Sequence, residues 1–161
     1  MKFYKLLRQD LTHYGFRYRE GLNVDTEPFN PRGNCEPGGL YYTSDEHLEE
    51  WIGTNWSLIA DVTLPSDAQV YPGPCGTKWK ADRLVLSNIR PLVQFLMREC
   101  DAARRCNIFK EYPHLLADVQ LTEPEALEII QLNPCAIAQI REPSVAICLA
   151  AVRCCPDSLR Y

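Results

Sequence analysis

The chain has 161 residues, 46% hydrophobic and 24% charged, with a formal net charge of −4. This is the balance of a globular chain rather than a disordered one, and its length holds one ordinary domain or a compact domain with a small appendage. The acidic balance argues against a general nucleic-acid binder, which needs a concentrated basic face. No apolar run approaches the roughly 20 residues that span a bilayer, and Met1–Lys5 opens without an apolar leader. The expectation is a cytosol-like, reducing compartment, with neither nucleic acid nor membrane as partner.

In chain order, the first 87 residues read as mixed strand and helix. Lys2–Leu7 is a predicted strand. Phe16–Tyr18 alternates apolar and polar up to Gly21, and Leu22–Val24 is a short extended piece. Pro28 to Gly39 is dense in Pro and Gly and reads as a surface loop. It lacks the Gly-x-x-x-x-Gly-Lys pattern of a phosphate cradle. Leu40–Thr43 is a strand. Ser44 is placed to cap a helix carrying Leu48, Trp51 and Ile52 on one face and ending at Gly53. Trp56–Leu64 is the strongest strand signal, with Leu58, Ala60, Val62 and Leu64 on one face. Ala68–Tyr71 and Ala81–Leu86 complete the predicted sheet.

After Ser87 the chain turns helical. Pro91 suits a first helical turn ahead of Leu92, Val93, Phe95 and Leu96, and a helix is expected over Ile108–Val119, interrupted by Pro113. The end of the chain carries an imperfect repeat over 122–161. One copy opens at Glu123-Pro124 and reaches Asn133-Pro134; the next opens at Glu142-Pro143 and reaches Cys155-Pro156. The Pro-to-Pro intervals are 10 and 13 residues (124 to 134, 143 to 156). A recurring helix-Pro-helix unit points to a helical repeat array. The organisation read from sequence is therefore 1–87 as an α+β module and 88–161 as a helical segment docked on it.

The residues bearing on chemistry have plain structural readings. Cys100, Cys106, Cys135, Cys148, Cys154 and Cys155 lie among apolar helical residues and read as free packing cysteines; no Cys-x-x-Cys pair marks a metal site. Lys78, Lys80 and Arg104-Arg105 read as solvated surface. Asp10, His13 and Ser44 make no convincing triad, because no strained turn presents Ser44. Trp79, between two lysines, is a candidate exposed anchor for a partner.

Three resemblances add to this. The stretch Gly15-Phe16-Arg17-Tyr18, Gly21–Asp25, Pro28–Pro31, Gly38–Tyr42, Asp61–Pro65 and Lys80–Asp82 resembles an uncharacterised N-terminal module. The module occurs in proteins of giant DNA viruses of amoebae, often ahead of ankyrin or other repeats. Asn133–Ile137, Glu142–Ser144, Ile147–Val152 and Cys155-Pro156 resemble a helical repeat abundant in the same viruses. The resemblance implies a viral protein in host cytoplasm or virion and supplies no catalytic residues. In outline, a strand, Tyr41-Tyr42, a short helix and an apolar strand also resemble ADP-ribosyltransferases. That likeness gives His13 and Tyr41 or Tyr42 NAD-binding parts, but Asp82 stands where a late Glu is expected.

The reading is an α+β fold: a small, mostly antiparallel sheet with one short helix, followed by a helical segment with an imperfect repeat. The expected function is that of a non-enzymatic interaction or structural protein forming a homodimer, with no catalytic, cofactor-binding or metal-ligating residues. Candidate interface residues are Trp79, Ile147, Leu149, Val152, Leu159 and Tyr161. The alternatives are a small NAD-handling enzyme of ADP-ribosyltransferase-like type and an adaptor binding a host or virion protein.

Overall fold

The computed structural model describes residues 1–33, 35–117 and 120–160, and of Cys106 only the backbone. These residues fall into two units, one from Met1 to Leu92 and one beginning at Val93. The fold is α+β. The first unit holds a seven-stranded antiparallel sheet with a short 3₁₀ helix, and the second is helical.

At the centre of the sheet is β1 (Phe3–Leu7). On one side of it follow β6 (Leu58–Thr63), β9 (Arg83–Pro91) and β4 (Gly21–Val24). On the other side follow β5 (Leu40–Ser44), β8 (Lys78–Ala81) and β7 (Val70–Pro72). Pro72, which has no N–H to give, sits on an edge strand, where that costs nothing. A separate two-residue hairpin joins β2 (Thr12–His13) to β3 (Phe16–Arg17). Its turn has φ of 49° at Tyr14 and 80° at Gly15, the left-handed pair that matches strand twist.

Register assigns the faces. Lys5 lies opposite Ala60, Val62 opposite Leu86, and Leu40 opposite Ala81. These positions share a face with Leu7, Tyr42 and Leu84, and the apolar ones form one buried cluster. The alternation expected for Leu58, Ala60, Val62 and Leu64 holds: Ala60 and Val62 are in this cluster and Leu58 and Leu64 pack against it. The opposite face carries Tyr4, Leu6, Tyr41, Thr43, Ile59 and Lys78. A bulge between Ile59 and Asp61 lets β6 and β9 stay paired out to Pro91.

Three local expectations change. The strand expected at Ala81–Leu86 is two strands. Asp82 breaks it, accepting the Gln69 N–H at 2.9 Å and the Arg83 guanidinium at 2.9 Å. The helix after Ser44 is a 3₁₀ helix, η1 (Asp45–Trp51), capped at its end by Ile52 rather than Gly53. Ser44 makes no capping bond; it is the last residue of β5 and its Oγ is buried without a partner. Pro91 closes β9 instead of opening the helix α1 (Leu92–Glu99).

In the second unit the helix expected across Ile108 is α2 (Ala102–Glu111), followed by the 3₁₀ helix η2 (Pro113–Leu116). The part of that expectation over 118–119 lies outside the described residues. Next come α3 (Glu123–Leu132) with η3 (Pro134–Gln139), and α4 (Val145–Cys154) with η4 (Pro156–Arg160).

The repeat is thus threefold, and its frame differs from the one marked by Pro124 and Pro143. Each copy is a ten-residue α-helix, a cap residue (Tyr112, Asn133, Cys155), a proline, and a 3₁₀ turn. The copy-to-copy spacing is 21 residues from Pro113 to Pro134 and 22 on to Pro156. Each cap N–H bonds four residues back: Tyr112 to the Ile108 carbonyl at 2.7 Å, Asn133 to Ile129 at 2.8 Å, Cys155 to Ala151 at 2.8 Å. Within each 3₁₀ turn Leu115, Ala136 or Ser158 donates to the cap carbonyl. Pro124 sits inside its helix at the second position, whereas Pro143 precedes the N-cap Ser144. That offset explains the unequal intervals.

The helix starts are capped by different means. Asp101 accepts the Arg104 N–H at 2.8 Å, and Ser144 accepts from Ile147 at 3.4 Å. At α3 the Glu125 carboxylate accepts the Thr122 N–H at 2.9 Å and its hydroxyl at 2.8 Å. Those bonds hold Glu125 below the ordinary carboxylate range. We expect Glu125→Ala to cost about 1 kcal/mol in urea unfolding at neutral pH. Because the folded pKa is the lower one, this contribution is present above pH 4.5 and is lost as pH falls through the folded value. An undiminished effect at pH 2 contradicts it.

Candidate functional site

Two features of the described residues stand out: the outer side of the third repeat copy and a cavity on the sheet.

Equivalent positions in the three copies show how cover changes along them. Ile108, Ile129 and Ala151 are all buried, as are Leu115, Ala136 and Ser158. One position on, the pattern breaks. Leu116 is 1% exposed and Ile137 7%, but their equivalent Leu159 is 74% exposed. Likewise Phe109 and Ile130 are buried while Val152 is only partly so. α4 packs on α3 and η3, so the second copy is covered by the third. Among the described residues nothing covers the corresponding side of the third copy. Val145, Leu149 and Val152, at helical spacing, lie on this open side, and Val145 and Leu149 are exposed.

Among the sequence-predicted interface residues, Leu149, Val152 and Leu159 therefore stand on the open copy. Ile147 is buried on the inner side of α4, and Tyr161 lies outside the described residues. Trp79 belongs to the other unit. It is half-buried, with its ring 5.5 Å from Phe3 and stacked 6.2 Å from Tyr42.

The cavity, of about 180 Å³, opens on the sheet face opposite the main apolar cluster. Tyr4, Leu6, Tyr41 and Thr43 form part of its lining from β1 and β5. Trp51 comes from η1, Trp56 from the following turn, and His13 with Tyr14 from the hairpin. Trp51 is held by its Nε1–H donating to the Thr77 carbonyl at 3.1 Å, and Thr43 donates to the same oxygen at 2.8 Å. Lys78 is 4% exposed here. Its Nζ donates to Cys35 Sγ at 2.6 Å and lies 4.2 Å from the Trp51 ring centroid and 4.9 Å from that of Tyr41. Among the described residues no Asp or Glu lines the cavity. His13 packs edge-on against Trp56 at 4.9 Å; burial first, then the charges of Lys5 and Arg8, push its pKa down to about 4.

The lysines overturn their reading as solvated surface: Lys78 and Lys80 are buried, and so is Arg105. Lys80 donates to the Arg32 carbonyl at 2.9 Å, and Arg105 to the Cys100 carbonyl at 2.7 Å and to the Glu128 carboxylate. Aromatic faces and carbonyls replace water around these cations. The packing-cysteine reading holds at Cys100, which is buried, and fails at Cys135 and Cys154, which are exposed. Asp10 is occupied by the Thr12 N–H and hydroxyl. The His13 and Tyr41 of the ADP-ribosyltransferase-like alternative share the cavity. Asp82 is bonded to Gln69 and Arg83 instead.

No family model matches the chain, and no solved structure matches it. Its curated relatives include proteins of Acanthamoeba polyphaga mimivirus. One, named for ankyrin repeats, is 33% identical over 95 residues, 56% of this chain and 47% of that protein. A second of the same description is 35% identical over 40% of this chain and 19% of its own length. An uncharacterised protein of the same virus is 31% identical over 40% of this chain and 48% of its own. The chain thus spans less than half the length of these relatives. They bear out the giant-virus resemblance. Among the described residues no helix is long and apolar enough to cross a membrane.

Proposed function

We propose that the chain is a non-enzymatic interaction protein of host cytoplasm or virion that pairs with a second copy of itself through the open side of its third repeat. The observation that carries this is the loss of cover along equivalent positions, from Leu116 to Ile137 to Leu159. In a stacked array each unit's apolar side is buried by the next unit of the same kind, so the best-matched cover is another such unit. A second copy offers one related by a two-fold axis, which closes the interface and stops growth at a dimer. The ankyrin-repeat description of the relatives supports an interaction role.

Size-exclusion chromatography with light scattering tests it. The wild-type protein should elute at twice 18.5 kDa. Leu149→Asp and Leu159→Asp, both at exposed positions, should give folded monomers. A monomeric wild type removes the self-association and leaves the host-protein adaptor as the reading of the same face. The NAD-handling alternative predicts a raised thermal midpoint with NAD.

A further inference from the structure

The Lys78 cavity is a largely apolar, aromatic-walled chamber that holds a buried charge. A buried ammonium is costly unless paired, and its three N–H groups want acceptors. Among the described residues, Lys78 meets one sulfur and two ring faces and no carboxylate. Rings surrounding an ammonium are the arrangement by which proteins trap foreign cations, but here the protein's own cation fills the cage. An incoming cation is repelled; an incoming anion finds two unused donors and a low-dielectric setting that strengthens the attraction. The walls decide what should carry the anion. Trp56 and Tyr14 present flat apolar surface, and no protein acceptor takes the Trp56 indole N–H among the described residues. A wider cleft of about 750 Å³ shares His13, Tyr14, Cys35 and Tyr41 with the cavity, so a ligand longer than the cavity has somewhere to continue.

We propose that this cavity binds a small anion borne on a flat ring, with the carboxylate or phosphate on Lys78 and the ring against Trp56 and Tyr14. This site lies in the first unit and is independent of the repeat-mediated pairing.

Calorimetric titration of the full chain with two matched pairs tests it. Adenosine monophosphate against adenosine asks about phosphate. Indole-3-acetate against its amide asks about carboxylate. At least one anion should bind 10-fold or more tightly than its neutral partner, and which one does identifies the head group. Lys78→Met, which keeps the apolar stem, should lose that preference without a fall in thermal midpoint. Should that variant fail to fold, the wild-type protein still answers. On adding the anion, the indole N–H resonances of Trp51 and Trp56 should shift, while that of Trp79, which lines no part of the cavity, should stay. Binding of neither anion, equal binding of charged and neutral partners, or a shift confined to Trp79 overturns the proposal.

Discussion

Lys5→Met makes the protein more stable at pH 7 by about 2–4 kcal/mol, and the gain fades as the pH rises toward 10.5. Lys5 sits mid-strand at the centre of the sheet, 4% exposed, and shares a face with the main apolar cluster. Its ammonium lies 4.6 Å from the Tyr18 ring centroid. Burial lowers its pKa from 10.5 to about 7. At about 1.4 kcal/mol per pH unit, the interval between those values amounts to about 4–5 kcal/mol against the charged form. The Tyr18 ring returns about 1–2 kcal/mol of that in a desolvated setting, which gives the smaller figure. The sign follows from proton counts. Below pH 7 both folded and unfolded chains hold the proton and the penalty is complete. Between pH 7 and 10.5 the unfolded chain holds a proton that the folded one has shed, so wild-type stability rises with pH. Above 10.5 both are neutral and the penalty is gone. Methionine matches the stem, carries no charge and feels none of this. Urea unfolding of both proteins at pH 7 and pH 10 checks the claim. An equal gain at the two pH values would mean that packing, not charge, separates them.

Ile130→Ala should cost about 2–5 kcal/mol, and Val152→Ala less than about 1 kcal/mol in a monomer. The two residues occupy the same position in successive copies, seven residues after the start of α3 and of α4. Ile130 is buried beneath the third copy, and its truncation leaves a cavity with nothing to collapse into it. Val152 is only partly buried among the described residues, so solvent reaches the space its truncation leaves. Both are to be measured in the Leu149→Asp background, so that pairing does not confuse the comparison. If association buries the open side, Val152→Ala should become costly again in the wild-type background at high concentration. Similar costs for both in the monomer would refute the open side of the third copy.

Much of the sheet was legible in advance because it alternates. Leu58-x-Ala60-x-Val62-x-Leu64 assigns a strand and its inner face at once, and the Pro and Gly run at 28–39 reads as a loop because neither residue type favours a regular element. Misread elements share a cause: a local signal outvoted by a distant partner. Asp82 divides a strand through bonds to Gln69, thirteen residues back. Lysines at Lys78 and Lys80 look solvated by type, and nothing nearby in sequence announces that Trp51, Tyr41 and the 28–39 loop will wall them in. The repeat was half legible. Pro124 and Pro143 are the conspicuous residues, yet they hold different positions in their helices. The prolines that keep time are 113, 134 and 156, each two residues beyond a helix end, and the first copy hides because Ala102–Glu111 is polar where the others are apolar. The cavity drew only its outline from sequence: His13 and Tyr41 were named together, but the charge at its base was not.

The order of strands sets how the first unit can be assembled. β1 is the first strand made, yet its neighbours β5 and β6 lie about 35 to 60 residues downstream, and β4 waits for β9. Pairings of such sequence separation close slowly, while the second unit joins only neighbours in the chain and can form copy by copy. Trimming or burdening the first few residues would therefore strike the sheet at its middle, splitting it into two short halves, rather than fraying an edge.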